Sequence, residues 1–196
     1  MNYLAHIYLS GDDTKLMLGN FMADSIKGKD YLKYHDDIQR GILLHREIDT
    51  FTDSHPIVME SKAKFYSVLH HYSGVAVDVL YDHVLAKNWQ RYNAEKLEDY
   101  VSNIYETLTN HKVFLTKNVL NFLPIMIEYN WLVSYRNVDS IDQILKQMNR
   151  RIKHRVDLSA AVPIMVDQQA EFDREFEIFF EDIRQHVKDY MADHNF

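Results

Sequence analysis

Cysteine is absent from this chain of 196 residues. That excludes a disulfide framework and any thiolate metal site, and it is compatible with a reducing cytoplasm. Glycine is scarce at five residues and proline scarcer at three. A β-rich protein needs more punctuation than this, whereas a helical one does not. No apolar run approaches the roughly 18 residues of a membrane span, so no membrane association is expected. The chain also lacks a basic excess: its formal net charge is -7, which argues against a general nucleic-acid binder. Its opening, MNYLAHIYLSGDD, has neither a basic n-region nor a long apolar segment. No signal peptide is expected, and a cytoplasmic location follows.

What is present describes a globular helical protein. Hydrophobic residues make up 46% and charged residues 26%, a balance that supports a packed core and excludes disorder. The length suits one domain over 1–196. Helical periodicity recurs throughout. Leu97, Val101, Ile104 and Leu108 share one face, as do Ile141, Leu145, Met148 and Ile152, where Asp139 or Ser140 is placed to cap the start. A last helix from about 163 to 191 carries Phe172, Phe176, Phe179, Ile183, Val187 and Tyr190, with Pro163 in its first turn. Further helices are predicted over 14–27 (stopped by Gly28), 36–52, 57–71 and 74–92, with turns at 53–56 and 73–74. Pro124 predicts a kink or break within NVLNFLPIMIEYNW. The expected fold class is all-α: a single-domain bundle of seven or eight helices.

The chemistry lies in 11 histidines and their spacing to acids. Asn20, Asp24 and Lys27 recur at i, i+4 and i+7; His45 and Asp49 stand at i and i+4, with Arg46 adjacent and Asp53 a turn on. Asp78 and Asp82 are also four apart, with His83 following, and NYLAHIYL adds Asn2 and His6. Residues four apart on a helix can share one ion or bond each other. Imidazole plus carboxylate suits Mn, Fe, Zn or Mg. A divalent ion would relieve the repulsion among clustered carboxylates and acidify a bound water. One His–Asp pair alone is more often a hydrogen-bonded core pair; three such groups in one chain favour a cation. A local reversal of charge also stands out: Lys146, Arg150, Arg151, Lys153 and Arg155 run without an intervening acid. They form either a solvated helix end or a dock for an acidic partner. WLVSYR places Trp131, Tyr135 and Arg136 on one helical stretch, with the aromatics read first as packing.

Five blocks, MNYLAHIYLS, GNFMADSIKG, GILLHREIDTFTDSHP, DVLYDHVLAKNW and WLVSYR, occur in an order and spacing that resemble the acyl carrier protein phosphodiesterase family. They cover the first two-thirds of the chain. That family is regarded as a divergent branch of the HD phosphohydrolases. The resemblance therefore implies an HD-domain-like, metal-dependent hydrolase, with Mn2+ the expected ion. Its reaction releases 4′-phosphopantetheine from holo-acyl carrier protein. The family's essential aspartate in the N-x-x-A-D block falls on Asp24. Expected metal ligands are Asp24, His45, Asp82 and His83. Arg46 and Lys27 are expected to steady the phosphate, and Asp49 or His6 to orient water or donate the proton. The chain departs from the usual superfamily order, since its adjacent doublet is reversed as Asp82-His83. The carrier's recognition helix is acidic, and Lys146, Arg150, Arg151, Lys153 and Arg155 are the expected dock, with Lys27, Lys29, Lys33 and Arg40 as the other place for it. Two other readings share these residues: an HD-type phosphohydrolase of a nucleotide or other small phosphorylated molecule, and a non-catalytic helical module that binds the carrier.

Overall fold

The computed structural model describes residues 1–149 and 156–194. Among the described residues every regular element is helical, and eleven α-helices follow one another. They are α1 (Tyr3–Leu9), α2 (Thr14–Met22), α3 (Asp36–Ser54), α4 (Pro56–Leu69), α5 (Ser73–Lys87), α6 (Leu97–Asn110), α7 (Lys117–Glu128), α8 (Trp131–Ser134), α9 (Val138–Asn149), α10 (Ala161–Asp167) and α11 (Gln169–Asp193). No helix among them is long and apolar enough to cross a membrane. The excess over seven or eight comes from short segments, α1, α8 and α10, whose length hides their periodicity.

Local chemistry sets the boundaries. Asp13 starts α2 by accepting the Leu16 N–H at 2.9 Å. The helix stops at Met22, short of the expected 27. The chain tightens into a 3-10 turn, Ala23–Ser25, then extends at the buried Ile26, and Gly28 takes φ +52°. Asp24 therefore stands on a turn and not on a helix face. Pro124 does not break α7, which runs through it; the break falls at Asn130, in the left-handed region at φ 46°. Helix α9 begins at Val138, so Asp139 and Ser140 lie inside its first turn and not at the residue before it. The expected last helix divides at Gln168 into α10 and α11, with Pro163 near the start of α10.

Helix α11 buries Phe172, Phe176, Phe179, Phe180, Ile183 and Val187, and each such phenyl ring contributes about 2–3 kcal/mol by leaving water. Against it lies α5, which is buried on every side from Ala76 to Ala86 apart from Asp78. That is the mark of a central helix. Inside α5, Asp82 is fully buried and accepts backbone N–H groups from Asn2 (3.2 Å), Leu4 (2.8 Å) and Ala5 (3.3 Å). The first turn of a helix has N–H groups without internal partners, and a carboxylate satisfies them. Asp82 thus clamps the start of α1 onto the core. Burial still pushes its carboxyl up to about 7.

Helices α2 and α3 touch backbone to backbone. A Cβ on Gly19 would lie 2.2 Å from Ile38 O, and one on Gly41 would lie 2.1 Å from Leu16 O. Only hydrogen fits at either place. The contact brings Asn20, next to Gly19, up against His45, one turn beyond Gly41. Gly41→Ala is expected to cost about 3 kcal/mol through overpacking, seen as a melting temperature lower by roughly 6–12 °C. An unchanged melting curve would mean that the helices can part without penalty.

Candidate metal centre

Four segments contribute to one cluster. Helix α1 supplies His6, α2 Asn20, the following turn Asp24, and α3 both His45 and Asp49. The rings of His6 and His45 stack with centroids 4.1 Å apart and planes at 20°. The Asn20 side-chain oxygen lies 2.9 Å from His6 Nδ1 and 3.0 Å from His45 Nδ1. The other end of that amide donates from Nδ2 to His6 O and to Ser10 Oγ, each at 2.9 Å. Those two acceptors orient the amide, so its oxygen faces the imidazoles and both Nδ1 atoms donate. In each neutral ring the lone pair is then left on Nε2.

Both Nε2 atoms point at acids. His6 Nε2 lies 3.3 Å from Asp49 Oδ1. His45 Nε2 lies 3.2 Å from Asp49 Oδ2 and 3.2 Å from Asp24 Oδ1. A lone pair facing a carboxylate oxygen is repelled unless a cation, a proton or a metal ion, stands between them. Burial disfavours the charged form of His45, but the bonds to Asp24 and Asp49 outweigh it and hold its pKa up at about 9. Burial is the main influence on His6 and lowers it, against a bond from Asp49. Asp49 is raised by burial and, more strongly in sum, lowered by His45 and His6 to well below the usual carboxylate range. Asp24 is lowered chiefly by its bond with His45.

The donor set suits a divalent ion. One ligand atom each from His6, His45 and Asp49 lies within 4.8 Å of the others. Two imidazoles and a carboxylate leave positions open for water or substrate, and Asn20 supplies the outer contact that orients both ring ligands. The imidazoles are buried, while the Asp49 and Asp24 side chains are 45% and 74% exposed, which opens the cluster to solvent. It forms part of the wall of a cleft of about 400 Å³. Its lining combines four acids, Asp24, Asp49, Asp53 and Asp78, with apolar groups that include Phe122, Trp131, Ile144 and Met148.

Of the residues expected at the site, Asp24, His45, Asp49 and His6 come together. Asp82 and His83 do not join them. The Asp82 oxygens are taken up by the start of α1, and His83 Nδ1 lies 2.8 Å from Tyr135 O with its Nε2 buried and without a partner. Arg46 turns away from the cleft: its guanidinium donates to Ile26 O (3.3 Å) and Gly28 O (2.8 Å) and lies over the Tyr31 ring. It braces the turn that carries Asp24. Lys27 is exposed and does not line the cleft. Lys146 donates to Asp142 at 2.6 Å, while Arg150, Arg151, Lys153 and Arg155 lie outside the described residues. Asn20 was visible in the sequence only as a polar residue at helical spacing. Its position beside a glycine of close helix approach was the signal that it is buried and organising. Asp78, facing the cleft, was noticed for its spacing but not placed at the site.

Two imidazoles and two carboxylates gathered in an open cleft place this all-helical protein among helical proteins that carry a His–Asp group able to hold a cation. More narrowly, the chain belongs to the acyl carrier protein phosphodiesterase family, which it matches over residues 1–183. It is similar to the acyl carrier protein phosphodiesterase of Photorhabdus laumondii, with 28% identity over 181 residues, 92% of this chain and 91% of the relative. The protein of that name from Pectobacterium atrosepticum is 30% identical over 181 residues, 92% of each chain. That from Yersinia enterocolitica is 30% identical over 155 residues, 78% of this chain and 80% of the relative. No solved structure matches the chain.

Two measurements check the centre. Titrating Mn2+ while following thermal unfolding should raise the melting temperature of the parent protein and of Asp82→Asn, whatever its lower starting point. His6→Ala and His45→Ala should lose that rise, since stabilisation follows site occupancy. A rise lost in Asp82→Asn but kept in His6→Ala would reverse the ligand assignment. Metal binding also has to displace the His45 proton. Affinity should therefore strengthen by about tenfold per pH unit as pH rises towards 9 and level off above it. In metal-free protein the sign is opposite: the raised His45 pKa stabilises the fold below pH 6.5, and that contribution disappears as pH rises through about 9. Calorimetric titration at pH 6.5 and 8.5 reads the first effect, and melting curves in chelator read the second.

Proposed function

We propose that this protein hydrolyses the phosphodiester of holo-acyl carrier protein, releasing 4′-phosphopantetheine and leaving the carrier with a free serine. Family membership supports the substrate class. The observation that carries the chemistry is the convergence of one ligand nitrogen each from His6 and His45 with the Asp49 carboxylate in one open cleft. His6, His45 and Asp49 would hold a divalent cation, with Mn2+ our expectation. When bound, such an ion supplies positive charge for phosphoryl oxygens and acidifies a water.

The chain's own residues have separate tasks. Asn20 holds both rings in the tautomer that leaves Nε2 free. Asp24 is the more exposed of the two carboxylates on His45, and from the turn it can accept a proton bond from the attacking water and aim it. Arg46 keeps that turn in place through two backbone carbonyls. The described lining holds four aspartates and no lysine or arginine. The Met1 ammonium in the lining is taken up by Asp78 at 2.8 Å, so a bound cation at His6, His45 and Asp49 would supply the free positive charge that a phosphodiester anion meets.

Incubation with holo-carrier and Mn2+ should yield a carrier lighter by the phosphopantetheine mass. Asp24→Ala and His45→Ala, folded by their melting curves, should each lose at least about 100-fold in turnover. Full activity in either variant would remove that residue from the mechanism, and no mass change with the parent protein would refute the proposed activity.

A further inference from the structure

The turn that carries Asp24 is clasped to the start of α7. Ser25 Oγ and Thr116 Oγ1 lie 2.7 Å apart. This seam gathers unusual charge. Six described lysines are ion-paired: Lys15, Lys33, Lys62, Lys64, Lys87 and Lys146. Of the other six described lysines, four, Lys27, Lys29, Lys112 and Lys117, flank the two ends of the clasp, and all four are exposed; Lys96 and Lys188 lie elsewhere in the chain. In a chain of net charge -7, this is a local excess of unneutralised positive charge, which repels itself and favours an external anionic surface.

The same seam exposes apolar groups. Val113 is 85% exposed, Phe114 39% and Leu120 38%. Mixed basic and apolar character fits a folded acidic protein better than a bare polyanion, because the apolar side chains need a partner surface that excludes water. The seam is also continuous with the cleft. Lys27 stands three residues from Asp24, and α7 places Phe122 on the cleft wall. We propose that the seam formed by residues 25–29 and 112–120 docks the acidic surface of the carrier protein and so presents its phosphodiester to the cleft. This rests on the activity proposed above and adds where the macromolecular part of the substrate sits.

The test compares Lys29→Glu/Lys117→Glu and, separately, Val113→Asp with the parent protein, using holo-carrier in Mn2+. Both variants should raise KM about tenfold with kcat within twofold, and the charge variant should approach the parent as salt rises. Their Mn2+-induced rise in melting temperature should equal the parent's, which separates docking from folding and from the centre. KM within twofold of the parent for both variants overturns the proposal. So does loss of self-association in Val113→Asp with unchanged carrier kinetics, which would assign the face to a second copy of this chain. Titration of apo-carrier separates the two ideas. If the parent protein binds it but releases no phosphopantetheine from holo-carrier, and the variants bind more weakly, the dock stands and the activity falls. If the parent protein neither binds nor cleaves, both fall.

Discussion

One amide oxygen organises the centre. Asn20 Oδ1 accepts from both His6 Nδ1 and His45 Nδ1, and its own Nδ2 is held by a carbonyl and a hydroxyl. A buried polar group with every partner satisfied is rigid, because breaking any bond leaves another atom unpaired in a low-dielectric site. That rigidity passes to the two rings, which stack, share a tautomer and turn their remaining nitrogens to one acid, Asp49. The Nε2 atoms have no freedom to turn outward, and only a cation reconciles them with Asp49. The preference of this cluster for positive charge, a proton on His45 included, is thus built into its outer contacts.

That arrangement depends on two features of the packing. Gly19 and Gly41 let α2 and α3 meet at their backbones, which sets the reach from Asn20 to His45. Asp82, on the central helix, holds α1 by its first turn and thereby places His6. Neither feature belongs to the His6–His45–Asp49 group, yet each positions a residue that does. A buried acid capping another helix also explains why α5 keeps a carboxylate among valines and leucines: the alternative is three orphaned N–H groups.

The surface follows from the same economy of charge. The cleft is acidic and suited to cations, whereas the seam beside it is basic and suited to an acidic partner. Separating the two signs lets a carrier approach along the seam while its phosphodiester meets the cleft. Arg46 works between them. It brings no charge to the cleft, but through Ile26 O and Gly28 O it fixes the turn common to Asp24 and the exposed lysines.

Much of this was legible before any fold was known. Few glycines and prolines with apolar residues at helical spacing dictate an all-α chain, and His45 with Asp49, four apart on one helix, must be neighbours whatever surrounds them. Asp24 and His6 were visible as candidates through their motifs. Asp82 and His83 looked equally promising, because periodicity says which side of a helix a group lies on and nothing of what packs there. Only the tertiary structure decided that Asp82 meets a helix start and His83 a carbonyl, while Asn20 meets two imidazoles. Local spacing is covalent geometry and is written in the sequence; the partner across an interface is settled by how whole helices pack, which depends on every buried side chain at once.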